Sequence, residues 1–267
     1  MPQLFFAVRA CRRTLAAFAR VPEPLMPSPS VIKSFDFKPG RVLAGKYEVV
    51  SPLGRGIEGE VYLIRETVTG IERTAKFFFP RRNVRVKKVL FHANKLHALR
   101  HCPIVIQYHA QDHVRIKGQD ISFLVSEFVE GELLSQFIAR QRGARLTPFA
   151  ALHLLHALSI GLESIHSLNE YHGDLHTENI IVRRYGLGFD LKFLDLYNWG
   201  SPTAANRRHD VIEAVRVFFE ALGGKKRYSA QPPEVKAIIC AMKRALILRK
   251  YPSAGRLRHH LETMEWS

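Results

Sequence analysis

Long apolar stretches are missing from this sequence: the opening LFFAV breaks at Arg9, and no run reaches the roughly 20 residues that a bilayer-spanning helix needs. A transmembrane segment is therefore not expected. Cysteine is nearly absent as well. Cys11, Cys102 and Cys240 are too scattered for metal-ligand spacing and would leave one thiol over in any disulfide scheme, which points to a reducing, cytoplasmic setting. Acidic residues are few, 24 against 40 Lys and Arg, for a formal net charge of +16. Such a field suits nucleic acid, anionic lipid or an acidic substrate, and equally the phosphates of a nucleotide. The basic residues are spread over many segments with no aromatic-interleaved basic motif, so specific nucleic-acid recognition is not expected.

What is present is enough for a sizeable core: 267 residues, 46% apolar and 24% charged, suit one large or two small lobes. Residues 1–24 carry Arg9, Arg12, Arg13 and Arg20 with no acid before Glu23. They read as a weak amphipathic helix, an organelle transit peptide or a disordered tail; the lack of serine favours the tail. PEPLMPSPS (Pro22 to Ser30) follows with four prolines in nine residues, a linker composition. Residues 1–40 are accordingly assigned to a basic tail and proline-rich linker.

The stretch YHGDLHTENIIVRRYGLGFDLKFLD (Tyr171 to Asp195) organises the rest. A helical pattern from Leu152 to Leu168 leads into it. IIV and LKFLD are short β-prone runs separated by GLG, a hairpin signal. Asp174, Asn179 and Asp195 are expected to meet at the rim of that hairpin. Two carboxylates and an amide there suit phosphoryl transfer: one carboxylate accepts a hydroxyl proton, while the amide oxygen and the second carboxylate hold magnesium against nucleotide phosphates. The plainer alternative is that Asp174 and Asn179 only cap turns.

Upstream, YEVVSPLGRGIEGEVYLIRETVTGIERTAKFFFP, from Tyr47, reads as a three-strand meander. Gly54, Gly56, Gly59 and Val61 fit G-x-G-x-x-G-x-V, where a hairpin brings its backbone against phosphates and any Cβ would collide. A dinucleotide fold would need a helix directly after the glycines, whereas a strand follows here. Ala75 and Lys76 close the third strand, 15 residues beyond Val61.

His172, Asp174, Leu175 and Asn179 spell H-x-D-L-x-x-x-N. Followed by Asp195 and preceded by the glycine loop and the Ala75–Lys76 pair, they resemble the protein kinase-like superfamily over roughly residues 45–220. The resemblance implies an α+β, two-lobed fold: a small antiparallel β-sheet lobe over residues 41–129 and a reduced, mainly helical lobe over 130–267. It implies ATP and Mg2+ in the cleft, with Asp174 as catalytic base, and Lys76 and the glycine loop on the phosphates. Asn179 and Asp195 would hold the metal, and Leu53, Val61, Ala75 and the backbone from Glu127 to Val129 would enclose the base, with Ser126 limiting the back pocket. Asp210 resembles the residue that braces the catalytic loop from below.

Several positions depart from the family's pattern. The helix glutamate that pairs with the lysine is missing, because no acid lies between Glu72 and Asp112. The Leu96, Leu99 and His101 spacing puts His92 in its place, as a hydrogen-bond acceptor for Lys76 or as an ordinary helix-face residue. Gly173 replaces the arginine that would pair with an activation-loop phosphate. His176 stands where Ser/Thr kinases carry lysine, and HGDLH is similar to small-molecule phosphotransferases. Asp195-Leu196-Tyr197 replaces D-F-G, only 15 residues separate Asp195 from Asp210, and no A-P-E occurs. The expected activity is that of an ATP-dependent Ser/Thr protein kinase acting on a hydroxyl acceptor, protein or small molecule. A small-molecule phosphotransferase of the aminoglycoside type and a nucleotide-binding pseudokinase scaffold are the alternatives.

Overall fold

The computed structural model describes residues 32–80, 87–196 and 201–265. The basic opening, the proline-rich stretch, Cys11 and Tyr197 lie outside them. The first lobe is a six-stranded antiparallel sheet in the order β1-β2-β3-β4-β6-β5. Its strands are β1 (Val42–Leu43), β2 (Tyr47–Arg55), β3 (Gly59–Glu66), β4 (Glu72–Phe78), β5 (Tyr108–Ile116) and β6 (Gln119–Glu127). The meander read from the sequence is thus the middle of a wider sheet. Alternation sets its faces: in β3, Glu60, Tyr62 and Ile64 are buried, while Val61 and Leu63 on the other face are half-buried.

Residues 32–37, assigned to the tail from sequence, lie against this sheet. Ile32, Phe35 and Phe37 are buried in one cluster with Val49, Ile64, Phe77 and Phe123. The first lobe's core therefore begins ahead of the expected boundary at residue 41, because the rings of this segment cover a sheet face that would otherwise be wet. On the other side of the sheet, helix α1 (Lys87–Ala98) puts Val89 and Ala93 against Phe78 and Leu124.

The second lobe is mainly helical. After β7 (Glu132–Leu133) and α2 (Leu134–Ala139) comes α3 (Pro148–Ser167), started by Thr147, whose Oγ1 accepts from the Ala150 N–H at 3.2 Å, with proline in the first turn. By length and mean composition α3 is apolar enough to cross a bilayer, although His153, His156, Glu163 and His166 interrupt it. Here it is the central helix of a folded core, with Leu154, Leu155, Leu158, Leu162 and Ile165 buried against α4 (Ala204–Ala221) and β9 (Gly188–Phe193). The hairpin forms from β8 (Ile180–Tyr185) and β9, joined at Gly186-Leu187, and β7 pairs with β8 on its other edge.

Beyond α4 the local helical pattern is broken. PPEVKAIICAMKRALIL reads as one helix but forms two, α5 (Pro233–Ile239) and α6 (Arg244–Lys250). Cys240, Ala241 and Met242 all take left-handed backbone, at φ of 51°, 51° and 57°, which ends the α-helical ladder. Helix α7 (Ala254–Thr263), capped by Ser253, packs back on α3.

Candidate active site

The loop leaving α3 is fixed from below. Asp210 of α4, 1% exposed, accepts from the His172 N–H (2.8 Å), the Gly173 N–H (2.9 Å) and His166 Nε2 (2.9 Å). A buried carboxylate with three donors satisfies its lone pairs and holds the loop at two consecutive peptides. Gly173 sits at φ +87°, a conformation that disfavours any side chain, arginine included. His172 is buried with its ring edge-on to Phe193 at 5.4 Å, and its Nδ1 accepts from the Asp174 N–H at 3.2 Å. Burial pushes its pKa down to about 4, against the pull of Asp210, so it is neutral at ordinary pH.

This bracing presents Asp174 to solvent, with its side chain 51% exposed. Asn179 ends a single 3-10 turn (Thr177–Asn179); its Nδ2 donates to the Asp174 carbonyl at 2.9 Å and to Asp174 Oδ2 at 3.3 Å, which leaves the amide oxygen for another partner. His176 Nδ1 accepts from the Glu178 N–H at 3.2 Å, so the proton is on Nε2, which lies 3.7 Å from Asp174 Oδ2. The first rung of the hairpin, Ile180 opposite Phe193, and the Leu194 N–H donating to the Asn179 carbonyl at 2.9 Å bring Asp195 beside Asn179. Asp174, Asn179, His176 and Asp195 thus come together at the hairpin rim.

Lys76 reaches across from β4 to the same rim, its Nζ 2.5 Å from Asp195 Oδ1. Surrounding protein works against ionisation of Asp195, although its side chain is still 46% exposed, and the charge and hydrogen bond of Lys76, with His92 and His172 behind them, outweigh that and hold the carboxyl below the usual range. Asp195 takes φ +47°, a left-handed conformation that Asp tolerates better than most residues. Val61 is the cross-strand partner of Lys76 and shares its face, whereas Ala75 pairs with Tyr62 on the opposite face, fully buried in the cluster with Phe35 and Phe37, so it does not enclose the base as the resemblance implies.

The three glycines of the loop differ in kind. A Cβ on Gly54 or Gly56 would meet open space, whereas one on Gly59 would lie 1.7 Å from the Phe77 carbonyl oxygen. Gly59 is therefore required by the close approach of β4. Leu53, ahead of them, is 46% exposed. Glu58 at the loop tip places Oε2 3.9 Å from His92 Nε2. His92, 6% exposed on α1, faces this tip and also influences Asp195, so it lies at the site while Lys76 takes Asp195 as its acceptor.

At the lobe junction β6 ends at Glu127, so the backbone through Val129 leaves the sheet, with Ser126 buried just before it. The Glu127 side chain is committed elsewhere: its Oε1 accepts from Lys192 Nζ (2.6 Å) and the Gln107 N–H (3.0 Å). Sequence reading missed Lys192, although a lone charge between Leu191 and Phe193 in β9 was a signal for a paired residue. It also missed Lys95 of α1, 7% exposed, whose Nζ sits 4.2 Å over the Tyr171 ring and 3.8 Å from Glu170 Oε2. Burial lowers the Lys95 pKa.

The donor set fits magnesium. A carboxylate and an amide oxygen are hard ligands, and no group of three or more His, Cys, Asp or Glu among the described residues forms a self-contained metal cage.

A family model, the protein kinase domain, matches residues 47–235. A putative cyclin-dependent kinase F-2 of Oryza sativa subsp. japonica is 27% identical over 179 residues, 66% of this chain and 54% of that protein. Serine/threonine-protein kinase pkn2 of Myxococcus xanthus is 31% identical over 161 residues, 58% of this chain and 18% of that one. The chain thus spans about half or less of the length of these relatives. Among solved structures, the Mycobacterium tuberculosis PknI kinase domain superposes with a TM-score of 0.60 at 18% identity, covering 85% of this chain and 98% of that one, a likeness of fold. The matched residues run from the glycine-loop sheet through the braced loop and hairpin to α4 and the start of α5, and by that match the chain belongs to the protein kinase domain family.

Proposed function

We propose that this chain is an ATP-dependent phosphotransferase of the Ser/Thr protein kinase type, moving the γ-phosphate of Mg-ATP to a hydroxyl. The observation that carries the reading is the meeting of Asp174, Asn179 and Asp195 at one hairpin rim with Lys76 delivered to it from the other lobe. Asp174, exposed and held by its loop, is placed to orient the acceptor hydroxyl and take its proton. Asn179 and Asp195 would hold magnesium, which would neutralise charge on the β- and γ-phosphate oxygens. Lys76 would exchange Asp195 for the α- and β-phosphates, with the glycine hairpin above them and the backbone of 127–129 against adenine. The open space over Gly54 and Gly56 leaves room for such phosphates. His176, with its N–H at Nε2, takes the place of a lysine as a donor to the transferred group. A cytoplasmic, reducing setting belongs to this reading.

A small-molecule acceptor is the second reading. It is favoured by the short connection from Asp195 to the start of α4 at Ala204, which leaves little chain for a peptide-docking platform. Incubation with γ-labelled ATP and magnesium, in parallel with generic basic proteins and a panel of hydroxylated small molecules, separates the two. Label on protein serine or threonine supports the first, label on a small molecule the second. Nucleotide binding without transfer to either would leave a scaffold and overturn both.

A further inference from the structure

Residues 32–37 do more than cover apolar surface. Phe35 stacks on Phe37 (5.5 Å between centroids) and Phe79 (5.3 Å), and Phe37 meets Phe77 (5.0 Å) and Tyr62 (5.1 Å), so the segment is seated on the sheet face away from Lys76. Beneath it lies Glu60, in the glycine hairpin itself, between Gly59 and Val61. Cross-strand pairing sets the faces: Val61 opposes Lys76 on the cleft side, and Glu60 opposes Phe77 on the covered side.

Glu60 is 4% exposed, and its carboxylate is surrounded by donors. Ser34 Oγ donates to Oε1 at 2.8 Å; the Phe35 N–H (3.1 Å) and the Tyr62 hydroxyl (2.5 Å) donate to Oε2. Arg55, at the end of β2, places Nε 3.8 Å from the same carboxylate and donates through Nη2 to the Lys33 carbonyl at 2.7 Å. Both strands that flank the 56–58 tip are thereby tied to one segment. Lifting the hairpin away from the segment would exchange these charge-assisted hydrogen bonds for bonds to water and expose the rings packed around them, which costs free energy and so favours the seated hairpin.

We propose that residues 32–37 form a strap that, through Glu60, positions the glycine hairpin for nucleotide, with Glu60 and Ser34 as positioning residues. The nucleotide part rests on the phosphotransferase reading; the mechanical part does not. Ser34 is the sensitive point, because its Oγ also lies 2.6 Å from Asp36 Oδ1, so that its single proton bonds one carboxylate or the other and a negative charge placed there would face both.

Hydrogen exchange on the full chain tests the strap without nucleotide. The Gly56 N–H, bonded to the Gly59 carbonyl at 2.9 Å, and the Phe79 N–H, bonded to the Glu58 carbonyl at 2.8 Å, report on the hairpin. In Glu60→Gln and Ser34→Glu these amides should exchange about tenfold faster or more, the loss of one charge-assisted hydrogen bond. Amides of α3 and α4 should stay at wild-type rates, and Ser34→Thr, which keeps the hydroxyl, should restore protection. Affinity for a fluorescent ATP analogue should fall about fivefold or more in the same two variants. If Glu60→Gln does not fold, Ser34→Glu and Ser34→Thr decide. Wild-type exchange at Gly56 and Phe79 in a folded Ser34→Glu protein overturns the strap. Acceleration spread evenly over both lobes overturns it too, since that marks a general loss of stability. A wild-type protein that binds no nucleotide argues against the phosphotransferase reading, and the exchange data still settle the strap.

Discussion

Asp174 and Asp195 are the same residue type in different surroundings, and the difference predicts different losses. The two side chains are about equally exposed, 51% and 46%, but Asp174 is touched only by an amide and an imidazole, as suits a group that meets an acceptor from solvent. Asp174→Asn should lower kcat about 100- to 10,000-fold with little change in the KM for ATP, checked by steady-state phosphotransfer. Asp195 is instead held ionised by Lys76. Asp195→Ala should abolish turnover and also remove the magnesium dependence of nucleotide binding, read by titrating nucleotide with and without the metal. His172 carries a prediction of stability. The unfolded chain takes up its proton near pH 6.5 and the folded protein only near 4, so the unfolded state binds the extra proton between these values. Stability should therefore fall as pH drops from about 6.5 to about 4, by roughly 3 kcal/mol from this group. Urea melts across that range should show a shallower slope for His172→Asn, which keeps an acceptor for the Asp174 N–H.

At the scale of elements, α4 matters more to the site than the hairpin that displays it. Asp210 reaches from α4 to the loop peptides at His172 and Gly173 and to His166 on α3, joining three elements through one carboxylate. Asp210→Asn turns one acceptor into a donor facing a donor, which costs about 1–3 kcal/mol. A lower Tm and a kcat reduced more than the KM for ATP are expected, because the lysine and the glycine hairpin stand on other elements. Much of this layout was legible in sequence. Helix α3 showed its apolar period, the hairpin its GLG turn, and Asp210 its match to the brace below the loop. The split between α5 and α6 was not, because no glycine or proline marks it and three left-handed residues in a row run against local preference.

For the whole molecule, the lobes meet through ion pairs and rings that link distant segments. Lys76 joins Asp195, Lys192 joins Glu127, and Lys95 of α1 lies over Tyr171. No guanidinium stands at position 173 and the connection to α4 is short, so activity should not depend on phosphorylation of that segment. Complete phosphatase treatment should leave the rate unchanged; a large loss would assign the phosphate-binding role to another cation, with Arg207 the first to substitute.

The sequence by itself determined the family pattern, the order of the lobes and the residues that meet at the hairpin rim, because these depend on local spacing: a turn, a period of two, a cap, a motif only a few residues long. Only the tertiary structure decided that Lys76 takes Asp195 in place of the missing helix glutamate, that Gly59 is demanded by the Phe77 backbone, and that residues 32–37 belong to the first lobe. Each of these is a contact between segments far apart in the chain. Whether a carboxylate such as Glu60 is solvated or buried depends on what folds over it, and no local pattern of residues carries that information.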